Sequence, residues 1–182
     1  MRVDPASHLL IGVNYLPSPN SDKRPENCPA SLIVIHNISL PPNEFGGPYI
    51  EQLFTNQLNY KGHPYFAEIS DQKVSAHVLI RRDGSVIQFV PFNYRAWHAG
   101  QSNYEGRVNC NDYSIGIELE GADDISYEDR QYFVLVTLIN ALLIAYPSLS
   151  KNRIVGHSDI APDRKTDPGP SFNWERFKNE LA

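Results

Sequence analysis

The sequence predicts an α/β fold: one domain with a central mixed β-sheet flanked by helices on both faces. Three observations predict it. Residues 31–35 (SLIVI) form a continuous β-branched run, the pattern of a strand buried on both faces of a helix-covered sheet. Asp83-Gly84 divides two β-rich runs in VSAHVLIRRDGSVIQFV, a hairpin signal that adds an antiparallel pair. Strand-like and helix-like segments alternate along the rest of the chain. At 182 residues the chain has the length of one domain, spanning 1–182.

The elements follow in order. Residues 1–30 are turn-rich, with Pro17, Pro19, Pro25 and Pro29, and predict an irregular wrap before the first strand. That strand, 31–35, ends at His36. After Pro41-Pro42, Pro48 can open a helix whose apolar residues Ile50, Leu53, Phe54 and Leu58 recur at helical spacing. Residues 59–73 have no clear period and predict a long loop. The hairpin follows, then loops over 96–100 (AWHAG) and 101–111. Residues 114–119 (SIGIEL) predict a strand. Ser126 then precedes a long helix over 127–146, with Phe133, Val136, Ile139, Asn140 and Leu143 on one stripe and Pro147 at its end. A short strand over 153–156 ends at His157. A polar loop covers 158–170, and Phe172, Trp174, Phe177 and Leu181 mark a final helix.

Composition narrows the function classes. Hydrophobic residues are 41% and charged residues 20%, which excludes a disordered chain. A formal net charge of -5 argues against a general nucleic-acid binder. No apolar run is long enough to cross a membrane as a helix. The apolar stretch Leu9–Val13 is too short for a secretory signal, so a cytoplasmic location is expected. Cys28 and Cys110 are accordingly read as free thiols. Nothing in the sequence demands a dimer, and a monomer is expected.

Six histidines need sorting. His8 and His63 lie in irregular segments and read as surface residues. His77 reads as a core histidine with its ring satisfied, or as a support behind a site. His36 and His157 each follow an apolar strand, and ligands bind at that edge of open α/β sheets. Asp167 follows His157 by ten residues, in a loop stiffened by Pro162, Pro168 and Pro170. Two histidines and a carboxylate form a common set for catalytic zinc. The spacing equally allows Asp167 to cap a turn. Lys165, two residues earlier, would project beside such a metal and stabilise an oxyanion; otherwise it is a solvated loop lysine. Glu118 sits inside an apolar strand, where an acid is costly unless paired or functional. It is a candidate general base for an attacking water, or one half of a structural salt bridge. Glu120, at the strand end, is expected to be exposed or to support the site. Trp97 and His98 either line a groove, with Trp97 as an apolar platform for a sugar, or simply pack. No HExxH, GxSxG, Walker or GxGxxG motif occurs.

These residues fall within longer runs that resemble a known family. VIHNISLPP, HPYF, VSAHVLIRRDGSVIQFVPF, RAWHAG, CNDYSIGIELEG and GHSDIAPDRKTDPGPSFNW resemble the AmpD-type 1,6-anhydro-N-acetylmuramyl-L-alanine amidases. Those enzymes belong to the type 2 N-acetylmuramoyl-L-alanine amidase superfamily, with phage T7 lysozyme and the peptidoglycan recognition proteins. The resemblance runs from about Pro17 to Trp174. It implies zinc held by His36, His157 and Asp167, and Glu118 and Lys165 as the catalytic pair. It also implies Tyr65 in the active-site lining and a mixed sheet flanked by helices. Asp as third ligand matches the AmpD branch; the recognition proteins usually have Cys there. The implied activity is cleavage of the amide between 1,6-anhydro-N-acetylmuramic acid and L-alanine in cytoplasmic peptidoglycan recycling, which indirectly controls β-lactamase induction. Muropeptides of this kind carry carboxylates, for which Lys73, Arg82 and Arg107 are candidates, and Asn37 is a candidate for the substrate backbone. The alternatives are a lysin-like amidase acting on intact wall and a non-catalytic peptidoglycan-binding module.

Overall fold

The computed structural model describes residues 1–181. Its strands are β1 (Asn14–Tyr15), β2 (Ser21–Lys23), β3 (Leu32–Ile38), β4 (Val78–Ile80), β5 (Val86–Gln88), β6 (Tyr94–Ala96), β7 (Asn103–Tyr104), β8 (Arg107–Val108), β9 (Ser114–Glu120) and β10 (Ile154–Gly156). Its helices are α1 (Tyr49–Phe54), α2 (Pro64–Glu68), α3 (Asp129–Ala145), α4 (His157–Ile160) and α5 (Trp174–Leu181), with a 3-10 turn at Cys110–Asp112. Six strands form one sheet in the order β1-β5-β4-β9-β3-β10. Every neighbouring pair is parallel except the β4–β5 hairpin, so the sheet is mixed, as the sequence predicts.

Side chains alternate between faces along each strand. On one face Ile33, Ile35, Ile115 and Ile117 pack in a core with Leu135, Leu138, Ile139 and Leu142 of α3 and Phe177 of α5. On the other, Leu32 and Val34 meet Ile160 of α4, and Leu79 and Ile87 meet Ile50, Leu53 and Phe54 of α1. The same alternation puts His36 of β3 and Glu118 of β9 on that second face. The two are register partners in the parallel ladder. A slip of either strand by one residue would turn its own group towards α3 and separate the two.

Several elements differ from the sequence expectation. The first strand continues through His36 to Ile38, because Asn37 and Ile38 pair with Leu119 and Glu120. The expected loop over 59–73 contains α2, which has Pro64 in its first turn and is capped by His63 accepting from the Tyr65 N–H. His63 is therefore a half-buried cap rather than a free surface residue. The loops over 96–111 hold the β7–β8 hairpin and the 3-10 turn, and β6 ends at Ala96. β1 and β2 pair with β5 and β6, so the N-terminal wrap is tied down by two short strands. The long helix starts at Asp129 with Glu128 and Gln131 as a capping box, displacing Ser126 from that role. Its buried stripe runs through Leu135, Leu138 and Leu142, and Phe133 is 70% exposed. The helix is apolar over most of its circumference, so the tertiary partner chose the face. His157 opens α4 in the region expected to be loop, and Phe172 precedes α5.

Candidate active site

His36, His157 and Asp167 come from β3, α4 and the loop before α5, and they meet at one point. His36 Nδ1 lies 3.0 Å from His157 Nδ1 and 3.0 Å from Asp167 Oδ2; His157 Nδ1 lies 3.1 Å from the same oxygen. Both rings are buried, and Asp167 is half-buried. The tautomer of His157 follows from its outer nitrogen. Nε2 is 3.1 Å from the Ala99 carbonyl oxygen, which can only accept, so Nε2 carries the proton and Nδ1 presents a lone pair. A lone pair, a carboxylate oxygen and a second imidazole nitrogen at this mutual spacing fit one cation. The two-His, one-carboxylate donor set is that of a catalytic zinc centre. Asp167 thus faces the histidines and is not spent on capping a turn. Burial pushes the Asp167 carboxyl up, but the His157 and His36 imidazoles outweigh it and hold it below the usual carboxylate range. Burial pushes His36 down to about 4, against the pull of Asp167.

The loop bearing Asp167 is anchored from behind. The Pro168 carbonyl accepts from Tyr127 Oη at 2.7 Å and from Asn37 Nδ2 at 3.1 Å, and the Asp167 carbonyl accepts from Ser158 N at 3.0 Å. Asn37 Nδ2 also donates to Asp123 Oδ1 at 2.8 Å. The amide N–H groups of Asn37 are therefore engaged in holding the loop, although the residue also lines the cleft.

Glu118 stands beside the cluster and is 8% exposed. Its Oε2 is buried with no hydrogen-bond partner among the described residues. Burial raises its pKa well above the ordinary glutamate value; the Asp167 charge adds to the rise and Lys165 opposes it. No arginine or lysine is salt-bridged to it among the described residues, so the structural ion-pair alternative fails. Glu120 does form that kind of pair. It is 2% exposed, with Oε1 2.7 Å from Arg81 Nη1, and it accepts from the N–H groups of Gly46 and Arg82. The expectation of an exposed Glu120 is corrected: a cation 39 residues away in the chain neutralises it inside the fold.

A cleft of about 290 Å³ opens over these groups and is lined at its polar end by His36, Glu118, Lys165 and Asp167. Tyr65, Leu53, Phe54, Ile69 and Val74 supply an apolar wall. Lys73 and Trp97 line an adjoining groove that also reaches Lys165. His98 is buried, and its ring packs edge-on against His36 at a centroid distance of 5.0 Å. Arg107 is elsewhere: it stacks over Tyr113 at 3.8 Å and donates to Cys28 Sγ, outside the cleft lining. Arg82 pairs with Glu128 and stacks on Phe45. His77 is a satisfied core histidine, accepting from Gly116 N at Nδ1 and lying 3.1 Å from the Tyr94 carbonyl at Nε2. Sequence reasoning missed the groups behind the site, among them the Ala99 carbonyl and the half-buried Arg24, which donates to the carbonyls of Asp112 and Ser114. Main-chain acceptors leave no sequence signal. Cys28 and Cys110 are both free. No helix is long and apolar enough to cross a membrane among the described residues.

Comparison with known proteins identifies the family. The family model described as N-acetylmuramoyl-L-alanine amidase matches residues 26–170. The Escherichia coli K12 1,6-anhydro-N-acetylmuramyl-L-alanine amidase AmpD is 57% identical over 169 residues, which cover 93% of this chain and 92% of that protein. A crystal structure of a selenomethionine AmpD derivative superposes with a TM-score of 0.96 at 54% identity, covering 100% of both chains. The amidase AmiD from E. coli, solved in complex with the substrate anhydro-N-acetylmuramic acid-L-Ala-D-γ-Glu-L-Lys, gives a TM-score of 0.60 at 29% identity, covering 83% of this chain and 57% of that one. A donor cluster of two histidines and an aspartate, a buried unpaired glutamate and this degree of likeness lead to one assignment: the chain belongs to the N-acetylmuramoyl-L-alanine amidase family.

Proposed function

We propose that the protein is a zinc-dependent amidase that cleaves the bond between 1,6-anhydro-N-acetylmuramic acid and L-alanine in muropeptides. It would act in cytoplasmic peptidoglycan recycling and so lower the level of muropeptides that induce β-lactamase. The carrying observation is the unpartnered carboxylate of Glu118 beside three converging metal donors in one cleft. The AmpD relatives and the muropeptide complex of AmiD support the choice of substrate.

His36, His157 and Asp167 would hold the zinc, which when bound supplies Lewis-acid polarisation and lowers the pKa of water towards about 7. Glu118 takes the proton of the attacking water as the lactyl carbonyl becomes tetrahedral. It then passes that proton to the departing L-alanine amine, so one carboxyl serves as base and then acid. Its raised affinity for protons suits both halves of the cycle. Lys165 places an ammonium at the cleft wall, where it stabilises the developing oxyanion. Tyr65 and the apolar wall pack against the substrate body. Lys73 and Trp97, in the adjoining groove, offer a cation and an aromatic face to peptide carboxylates and sugar.

The direct test incubates the protein with 1,6-anhydro-N-acetylmuramyl-tripeptide and, separately, with intact peptidoglycan, with and without a chelator, and separates the products by chromatography. Tripeptide release from the soluble substrate, abolished by chelator and restored by zinc, is the expected result. Comparable cleavage of intact wall would replace it with a lysin-like activity. Zinc-loaded protein that binds but cleaves neither would be a binding module. Lys165→Ala is expected to lose about a hundredfold to a thousandfold in kcat with its zinc content unchanged. Near-normal turnover in that variant would remove Lys165 from the mechanism.

A further inference from the structure

His36 differs from His157 in how its outer nitrogen is held. His157 meets a main-chain carbonyl, which can only accept. His36 Nε2 meets another imidazole: His98 Nδ1, at 2.9 Å. Either ring could donate to the other, so this contact alone leaves the His36 tautomer open. The next links decide it. His98 Nε2 lies 3.0 Å from Ser114 Oγ. Ser114 Oγ in turn donates to the Cys110 carbonyl at 2.6 Å. A hydroxyl has one proton, and the carbonyl takes it. Towards His98, Ser114 can therefore only accept. His98 must then carry its proton on Nε2 and show a lone pair at Nδ1. His36 must donate from Nε2 to that lone pair, which leaves the His36 Nδ1 lone pair aimed at His157 and Asp167.

We propose that His98 and Ser114 form a relay that fixes His36 in its metal-binding tautomer, with the Cys110 carbonyl as its terminus. His98, which also lines the cleft and the adjoining groove, is thereby a positioning residue. The inference rests on reading the His36–His157–Asp167 cluster as a metal site.

The surroundings hold the relay in place. Asn111 Oδ1 accepts from the backbone N–H of His98 at 3.1 Å and of Ala99 at 2.8 Å. The same two residues therefore set both imidazole ligands, His98 through its ring and Ala99 through its carbonyl. Gly116 of β9 leaves the space for the His98 ring: a Cβ there would lie 2.4 Å from the ring. Ser114, Gly116 and Glu118 alternate along one strand face. That face thus carries the relay hydroxyl, the ring's seat and the candidate base in succession.

The test compares the wild-type protein with His98→Leu, His98→Asn and Ser114→Ala. Two quantities are read: the zinc dissociation constant, by competition with a chelator, and the tautomer of His36 in metal-free protein, from long-range 1H–15N NMR spectra. Partners behind a metal-ligating histidine typically contribute about tenfold to a hundredfold in metal affinity. His98→Leu and Ser114→Ala are expected to weaken zinc binding by about that factor. Ser114 touches none of the three metal donors, so its effect has to pass through His98. His98→Asn, which offers an amide oxygen near the Nδ1 position, is expected to recover most of the affinity. Wild-type zinc affinity in both His98→Leu and Ser114→Ala overturns the relay. So does a wild-type spectrum with the His36 proton on Nδ1, and that measurement stands even where a variant fails to fold. Failure of the wild-type protein to bind zinc would instead strike the metal-site reading, while the His36 spectrum still decides the relay.

Discussion

Glu118→Gln is expected to lower kcat by about a hundredfold to ten-thousandfold while zinc content stays at the wild-type level. Glutamine keeps the shape of the side chain but cannot take the proton of the attacking water. The loss should fall on kcat far more than on KM, because the step removed belongs to the transition state. The pH dependence gives an independent check. Glu118 must be deprotonated to act as base, and burial, followed by the Asp167 charge, raises its pKa well above 4.5. Activity should therefore fall on the acid side along a limb that lies above the ordinary glutamate range. Stability should move the opposite way. A carboxyl whose pKa is raised on folding stabilises the fold below its unfolded pKa, and that contribution is lost as pH rises through the folded value. Metal-free Glu118→Gln should then be at least as resistant to thermal unfolding as the wild type at neutral pH. A large drop in melting temperature, or retained turnover, would each contradict the assignment.

His157→Ala is expected to abolish both zinc retention and turnover. The substitution removes one of three converging donors, and the Ala99 carbonyl loses the ring that it orients. Asp167→Ala should do the same by a different route. It removes the carboxylate that lies within 3.1 Å of both ring nitrogens and leaves two imidazoles facing each other. Elemental analysis of dialysed protein, beside the tripeptide-release assay, checks both. Stoichiometric zinc in either variant would mean that the metal is bound elsewhere. Activity retained after zinc is lost would remove the metal from the reaction.

Much of this site was legible in the chain. An acid inside SIGIEL and histidines closing two apolar strands are local anomalies, because a strand buried on both faces has no use for such groups. The hairpin at Asp83-Gly84 was legible for the same kind of reason. The turn needs positive φ, and Gly84 has φ +83. Short elements were less legible. α2 is five residues long, too short for a periodicity to stand out, although Pro64 and its preceding cap were present as signals. In α3 the choice of buried stripe was ambiguous because Phe133 and Leu135 are both apolar. Only packing against Ile33, Ile35, Ile115 and Ile117 selected Leu135.

What the sequence alone determined is the set of groups and their local settings: a mixed α/β fold, two histidines that each follow an apolar run, a strand-borne glutamate, and a proline-stiffened loop carrying Lys165 and Asp167. These follow from nearest-neighbour preferences that act over a few residues. Tertiary structure decided which groups meet and in what protonation form. The register of β3 on β9 pairs His36 with Glu118 across 82 residues of chain. The same fold pairs Glu120 with Arg81, leaves Glu118 Oε2 without a hydrogen-bond partner among the described residues, and sets Ala99, His98 and Ser114 behind the two imidazoles. A proton's position on a buried ring depends on the acceptor facing it, and that acceptor is supplied by a distant segment of the chain.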